Sequence, residues 1–88
     1  MLQANIEIIN KAGLHARAAS KLVTLTSSFS STIKIGQEKM VDGKSILSLM
    51  MLAATKGTVL QLEIEGRDEE QAMQAIKTLI TDRFDESE

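Results

Sequence analysis

The sequence predicts an α/β fold of the mixed α+β kind: an open-faced two-layer sandwich, with short antiparallel strands under helices packed on one face. Two patterns and their order carry this. In the stretch 59–65, Leu60, Leu62 and Ile64 alternate with Gln61, Glu63 and Glu65, the period of a strand with one buried face. In the stretch 72–80, Ala72, Ala75, Ile76, Leu79 and Ile80 fall at helical spacing. Along the chain the order reads strand, helix, strand, strand, helix, strand, helix, and two layers bury both kinds of apolar face. That order argues against a doubly wound nucleotide-binding enzyme.

Gln3 to Ile9 reads as the first strand, with Ala4, Ile6 and Ile8 inward and Asn5 and Glu7 toward water. Asn10-Lys11-Ala12-Gly13 breaks the pattern. A helix is predicted from Ala16 to Ser27, with Ala19, Leu22, Val23 and Thr26 on one face, and the serines at 27, 28, 30 and 31 weaken its continuation. Thr32 to Gly36 and Lys39 to Asp42 are read as short strands about a Gln37-Glu38 turn. Ser45 is a candidate N-cap for a second helix over Ile46 to Ala54. Leu49, Leu52 and Ala53 suffice for its core stripe, which leaves Ile46, Leu47 and Met50 in excess, either buried or exposed as a docking surface. Asp68 followed by Gln71 resembles a reciprocal cap for the last helix, and Met73 and Phe84 can extend its packing. The acidic ending Asp85-Glu86-Ser87-Glu88 reads as a solvated tail.

The chain has 88 residues, enough for one domain and one modest core, so residues 1–88 are read as a single domain. Its 43% apolar content and absence of proline suit a packed chain rather than a disordered one. With two phenylalanines as the only aromatic residues, that core must be mostly aliphatic. A net charge of −2 with scattered basic residues gives no case for a nucleic-acid partner. Without cysteine there are no disulfides or thiolate ligands, which fits a reducing compartment. Neither a secretion signal nor a membrane-length apolar run is evident, so the expectation is a cytoplasmic protein with no membrane insertion.

The stretch Gly13-Leu14-His15-Ala16-Arg17 carries the chemistry. It holds the only histidine, placed where an apolar run gives way to a helical pattern. Unpaired amides at a helix start stabilise an anion, and Arg17 adds a permanent multidentate charge. His15 is therefore a candidate for handling phosphate or a carboxylate, since a neutral imidazole has one nucleophilic nitrogen while the other can be oriented by a hydrogen bond. The bland alternative is a helix-start histidine that packs or solvates. Ser45 either caps its helix or, if phosphorylated, places about two negative charges beside Ile46 and Leu47. One histidine cannot make a multi-histidine metal site, the acidic residues lack ligand spacing, and no cofactor motif is present, so no metal and no cofactor are expected. The dispersed glycines form no phosphate loop, and no nucleophile triad can be assembled from the sequence.

These two segments resemble a known family. Gly13-Leu14-His15-Ala16-Arg17 is similar to the active-site motif of HPr, the histidine-containing phosphocarrier of the bacterial phosphoenolpyruvate-dependent phosphotransferase system. Lys44-Ser45-Ile46-Leu47-Ser48-Leu49-Met50 is similar to its regulatory-serine segment, and with the order of elements the resemblance covers nearly the whole chain. It implies a four-stranded antiparallel sheet with three helices on one face. It also implies that His15 receives a phosphoryl group on Nδ1 from enzyme I and passes it to enzyme II A domains in sugar uptake or its regulation. Such a protein is a carrier with a covalent phosphohistidine intermediate, and not a stand-alone turnover enzyme. Arg17 and the amides of Ala16 and Arg17 would stabilise phosphate oxygens. Ala16, Ser20, Ile46, Leu47 and Met50 would bind partners, and Ser45 would be the target of HPr kinase/phosphorylase. A monomer is implied. The family commonly has proline where this chain has Ala18, which implies a more adaptable helix start with transfer retained. It also keeps in view a regulatory module of a truncated or nitrogen-related phosphorelay, switched by phosphorylation of His15 or Ser45.

Overall fold

The computed structural model describes residues 1–87. In chain order its elements are β1 (Leu2–Glu7), α1 (Ala16–Thr26), β2 (Thr32–Gly36), β3 (Met40–Asp42), α2 (Ile46–Met50), β4 (Val59–Glu65) and α3 (Glu69–Thr81). A single 3-10 turn, Arg83–Asp85, follows. The strands form one antiparallel sheet in the order β1-β4-β2-β3. This is the architecture expected from the alternation in 59–65 and the helical stripe in 72–80. None of the helices among the described residues is long and apolar enough to cross a membrane.

The strand periodicity sets the register. β4 sends Leu60, Leu62 and Ile64 into the core, all fully buried. Ile6 lies opposite Leu60 and Ala4 opposite Leu62 on one side; Ile33 lies opposite Ile64 and Ile35 opposite Leu62 on the other. A slip of one residue would turn this apolar set to water, so burial selects the pairing. From above, Ala18, Ala19 and Leu22 of α1 and Ala72, Ile76 and Ile80 of α3 close the same core. Leu49 is the buried residue of α2.

β1 starts at Leu2 and ends at Glu7 rather than running from Gln3 to Ile9, and three further details depart from the sequence reading. First, α2 stops at Met50 rather than running to Ala54. The chain tightens through Leu52 N–H to Leu49 C=O at 3.2 Å and Ala53 N–H to Met50 C=O at 3.2 Å, and Ala53 takes a left-handed φ of 51° that ends the helix. Ala53 is exposed, and Ala54 takes the core position.

Second, Asp68 does not cap α3 through its side chain. Its carboxylate accepts instead from the amides of Ser30 and Ser31, at 2.9 and 3.0 Å, and from the Ser31 hydroxyl, tying the start of α3 to the loop before β2. The Ser31 hydroxyl, followed by the Ser30 amide, lowers the Asp68 carboxyl from 3.8 to about 2. A depressed folded-state value means that the ionised group's contribution is complete above about pH 4 and is lost as the pH falls toward 2. Asp68→Asn is therefore expected to lower the urea midpoint at pH 7, with the gap to the parent chain narrowing between pH 4 and 2. A pH-independent gap would assign the loss to packing.

Third, the C-terminal tail is docked. Phe84 is fully buried, and the residues around it carry the chain back across α1. Ser87 is exposed, and Glu88 lies outside the described residues.

Candidate functional site

The loop between β1 and α1 is built to present one imidazole. Asn10 is fully buried and turns the chain: its C=O accepts from the Gly13 amide at 3.2 Å, and its Nδ2 donates to the Gly13 C=O at 2.8 Å. Gly13 has φ +70°, and a Cβ there would lie 2.5 Å from the Ala54 carbonyl oxygen. Glycine is thus required both by the dihedral and by the approach of the 53–55 backbone. The next residue, Leu14, is buried and donates its amide to the same Ala54 carbonyl at 2.8 Å. With Leu14 anchored, His15 sits just outside the core as the N-cap of α1, extended at φ −80° and ψ −179°.

His15 contributes backbone, not side chain, to the cap. Its carbonyl accepts from the Ala19 amide at 2.8 Å, while the imidazole makes no capping bond. The amides of Ala16, Arg17 and Ala18 belong to the first turn, where no intrahelical acceptor exists, so they supply partial positive charge beside the ring. Ala18 and Ala19 are fully buried and let this first turn lie close against the core. Ala16, Arg17 and Ser20 are exposed, with Ala16 and Ser20 one turn apart on the outer face. Among the described residues no hydrogen bond or ion pair ties down the Arg17 guanidinium.

The other side of the ring meets the tail. The Glu86 carboxylate contacts His15 Nε2, and its second oxygen accepts from Asn10 Nδ2 at 3.0 Å. Nδ1 of His15 has no partner among the described residues. The Glu86 carboxyl is held below its ordinary range, first by the Asn10 hydrogen bond and then by the His15 contact and the charges of His15 and Arg17, against the opposing effect of desolvation. The side chains of His15 and Glu86 are 31% and 18% exposed, so the pair is partly shielded and yet reachable.

Ser45 lies at the start of α2, where its Oγ accepts from the Ser48 amide at 3.3 Å, the capping role expected of it. Ile46, Leu47, Met50 and Met51 are exposed by 41%, 68%, 41% and 78%, so the apolar excess of this segment faces outward. α2, which carries this patch, packs beside α1, and the Ala54 carbonyl that follows it holds the loop before His15.

Asn10 and Glu86 had no place among the candidate residues read from the sequence. Asn10 looked like a strand breaker, and Glu86 like one of several solvated acids. The one local signal was Phe84, an aromatic residue inside an otherwise acidic ending, at a position that prolongs the buried stripe of α3.

Residues 2–82 match the family model described as the PTS HPr component phosphorylation site. A phosphocarrier protein HPr from Neisseria meningitidis is 52% identical over 89 residues, covering 100% of both chains. A phosphocarrier protein NPr from Shewanella violacea is 42% identical over 87 residues, covering 98% of this chain and 96% of that one. The crystal structure of HPr-C-His from Thermoanaerobacter tengcongensis superposes with a TM-score of 0.95 at 44% identity, covering 100% of each chain. Sequence and fold agree over essentially the full length of the chain, which belongs to the HPr family of phosphocarriers of the phosphotransferase system.

Proposed function

We propose that this chain, acting over residues 1–88 as one monomeric cytoplasmic domain, accepts a phosphoryl group from phosphorylated enzyme I on His15 Nδ1 and delivers it to enzyme II A domains. The observation that carries this reading is an imidazole at a helix start that caps nothing with its side chain, beside first-turn amides and an exposed arginine. Phosphoryl transfer needs alignment and compensation of the equatorial oxygen charge more than covalent assistance. The amides of Ala16 and Arg17 provide compensation from the backbone, and the Arg17 guanidinium provides a mobile, bidentate partner that can follow the phosphate between donor and acceptor. Ala16, Ser20, Ile46, Leu47 and Met50 are exposed on α1 and α2, which pack together, and this supports reading them as a small, mostly apolar surface that successive partners share. The test is incubation with phosphoenolpyruvate and enzyme I. Acid-labile phosphate on His15, chased onto an enzyme II A domain, supports the carrier role; label that stays on the chain leaves it a binding switch.

Ser45 fits regulation by HPr kinase/phosphorylase. Its hydroxyl already faces the amides that begin α2, and a phosphate there would put charge beside the exposed side chains of Ile46 and Leu47. Ser45→Asp is expected to slow transfer from enzyme I at least about tenfold, roughly 1.4 kcal/mol of lost association, with the circular-dichroism spectrum unchanged. Equal kinetics, also after phosphorylation itself, would remove the regulatory role.

A further inference from the structure

We propose that Glu86, held by Asn10, is the positioning residue that fixes the proton on His15 Nε2 and balances the charge that the ring acquires when Nδ1 is phosphorylated. The inference rests on the carrier role of His15 and concerns residues outside its helix.

The geometry is specific. One carboxylate oxygen of Glu86 meets Nε2, so the ring is held with its proton at Nε2 and its lone pair at Nδ1. The other oxygen is fixed by Asn10 Nδ2 at 3.0 Å, and that same group is anchored to the Gly13 carbonyl at 2.8 Å. Asn10 is fully buried in the turn that presents His15, so one side chain sets both the loop and the carboxylate. The tail is brought there by three consecutive residues with left-handed dihedrals, Arg83, Phe84 and Asp85, at φ 57°, 53° and 62°. Non-glycine residues hold such angles only where the surroundings impose them. Here the burial of Phe84 does so, together with Lys21 Nζ, which donates to the Phe84 carbonyl at 2.7 Å and lies 4.0 Å from the Asp85 carboxylate. Arg17 adds positive charge that also favours the ionised Glu86.

This arrangement serves a group that must be taken up and given away. In the forward step the Nδ1 lone pair forms the N–P bond while the bond from phosphorus to the donor breaks, its electron pair leaving with the donor. The proton stays on Nε2, so the phosphorylated ring gains a delocalised positive charge, and the adjacent Glu86 carboxylate neutralises it. On delivery the N–P pair returns to Nδ1, and the ring departs as a neutral imidazole still protonated at Nε2. No proton has to leave or arrive in either direction, and a ring without the Nε2 proton would have to depart as an anion.

The test compares the full-length chain with Glu86→Ala and Glu86→Gln. In the parent chain the Nε2–H of His15 is expected to give a slowly exchanging proton signal by nuclear magnetic resonance. Glu86→Ala should lose that signal and slow both labelling by enzyme I and delivery to an enzyme II A domain about tenfold. Glu86→Gln retains an acceptor without charge and should keep the signal while recovering only part of the rate. Labelling and delivery at the parental rate in Glu86→Ala would overturn the proposal, as would faster transfer, which would make the tail a brake. Failure of the parent chain itself to be labelled would instead refute the carrier role.

Discussion

His15→Ala is expected to abolish phosphate incorporation from enzyme I, by at least about a thousandfold, while the chain stays folded. The size of the loss follows from the absence of a second imidazole: the sequence has no other histidine and no cysteine, and the nearby Arg17 guanidinium, permanently protonated, has no lone pair to offer. Survival of the fold follows from what His15 contributes to it. Its backbone carbonyl receives the Ala19 amide, which alanine retains, and its side chain supplies no cap. The interaction lost is the side-chain contact with Glu86, so the stability change should be about 1 kcal/mol, too small to unfold the chain. Acid-labile label measured beside a urea denaturation curve separates the two effects. Label persisting in the variant at parental levels would move the phosphorylation site off His15.

Phe84→Ala should give the largest loss of stability among the substitutions considered, about 3 to 4 kcal/mol, as expected for truncating a fully buried aromatic ring. For a chain of this size that corresponds to a fall in melting temperature of roughly 15 to 20 °C. The ring does more than fill space, since its burial offsets the strain of three successive left-handed residues and brings Glu86 to Asn10 and His15. The variant should accordingly also lose the slowly exchanging Nε2–H signal, at temperatures where it remains folded. Calorimetry together with that signal is the measurement. A loss below about 1 kcal/mol would mean that the tail is not part of the packed core.

Much of the architecture was legible from local patterns. The alternation of Leu60, Leu62 and Ile64 is β4, and the spacing of Ala72, Ile76 and Ile80 is the buried face of α3, because period and burial are coupled within one element. The capping of α2 by Ser45 is equally local. Less was legible where an element depends on a distant one. Ala53 has good helix propensity, yet it lies beyond the end of α2 with a left-handed φ of 51°, and the turn lets Ala54 C=O receive Leu14 and border Gly13. Asp68 had the position of a cap but was recruited by Ser30 and Ser31, 38 and 37 residues away, whose amides needed an acceptor.

Residue order alone was enough to specify the layers and to single out the candidate imidazole with a cationic side chain two places after it, since each rests on neighbours within a turn or a strand. Only the folded chain could decide what stands on the far side of that imidazole. The contact between His15 and Glu86 spans 71 residues, and an acidic tail carries no periodicity from which such a meeting could be read. It exists because one buried phenylalanine pulls the chain end across the start of α1, and a buried asparagine offers the carboxylate a fixed donor.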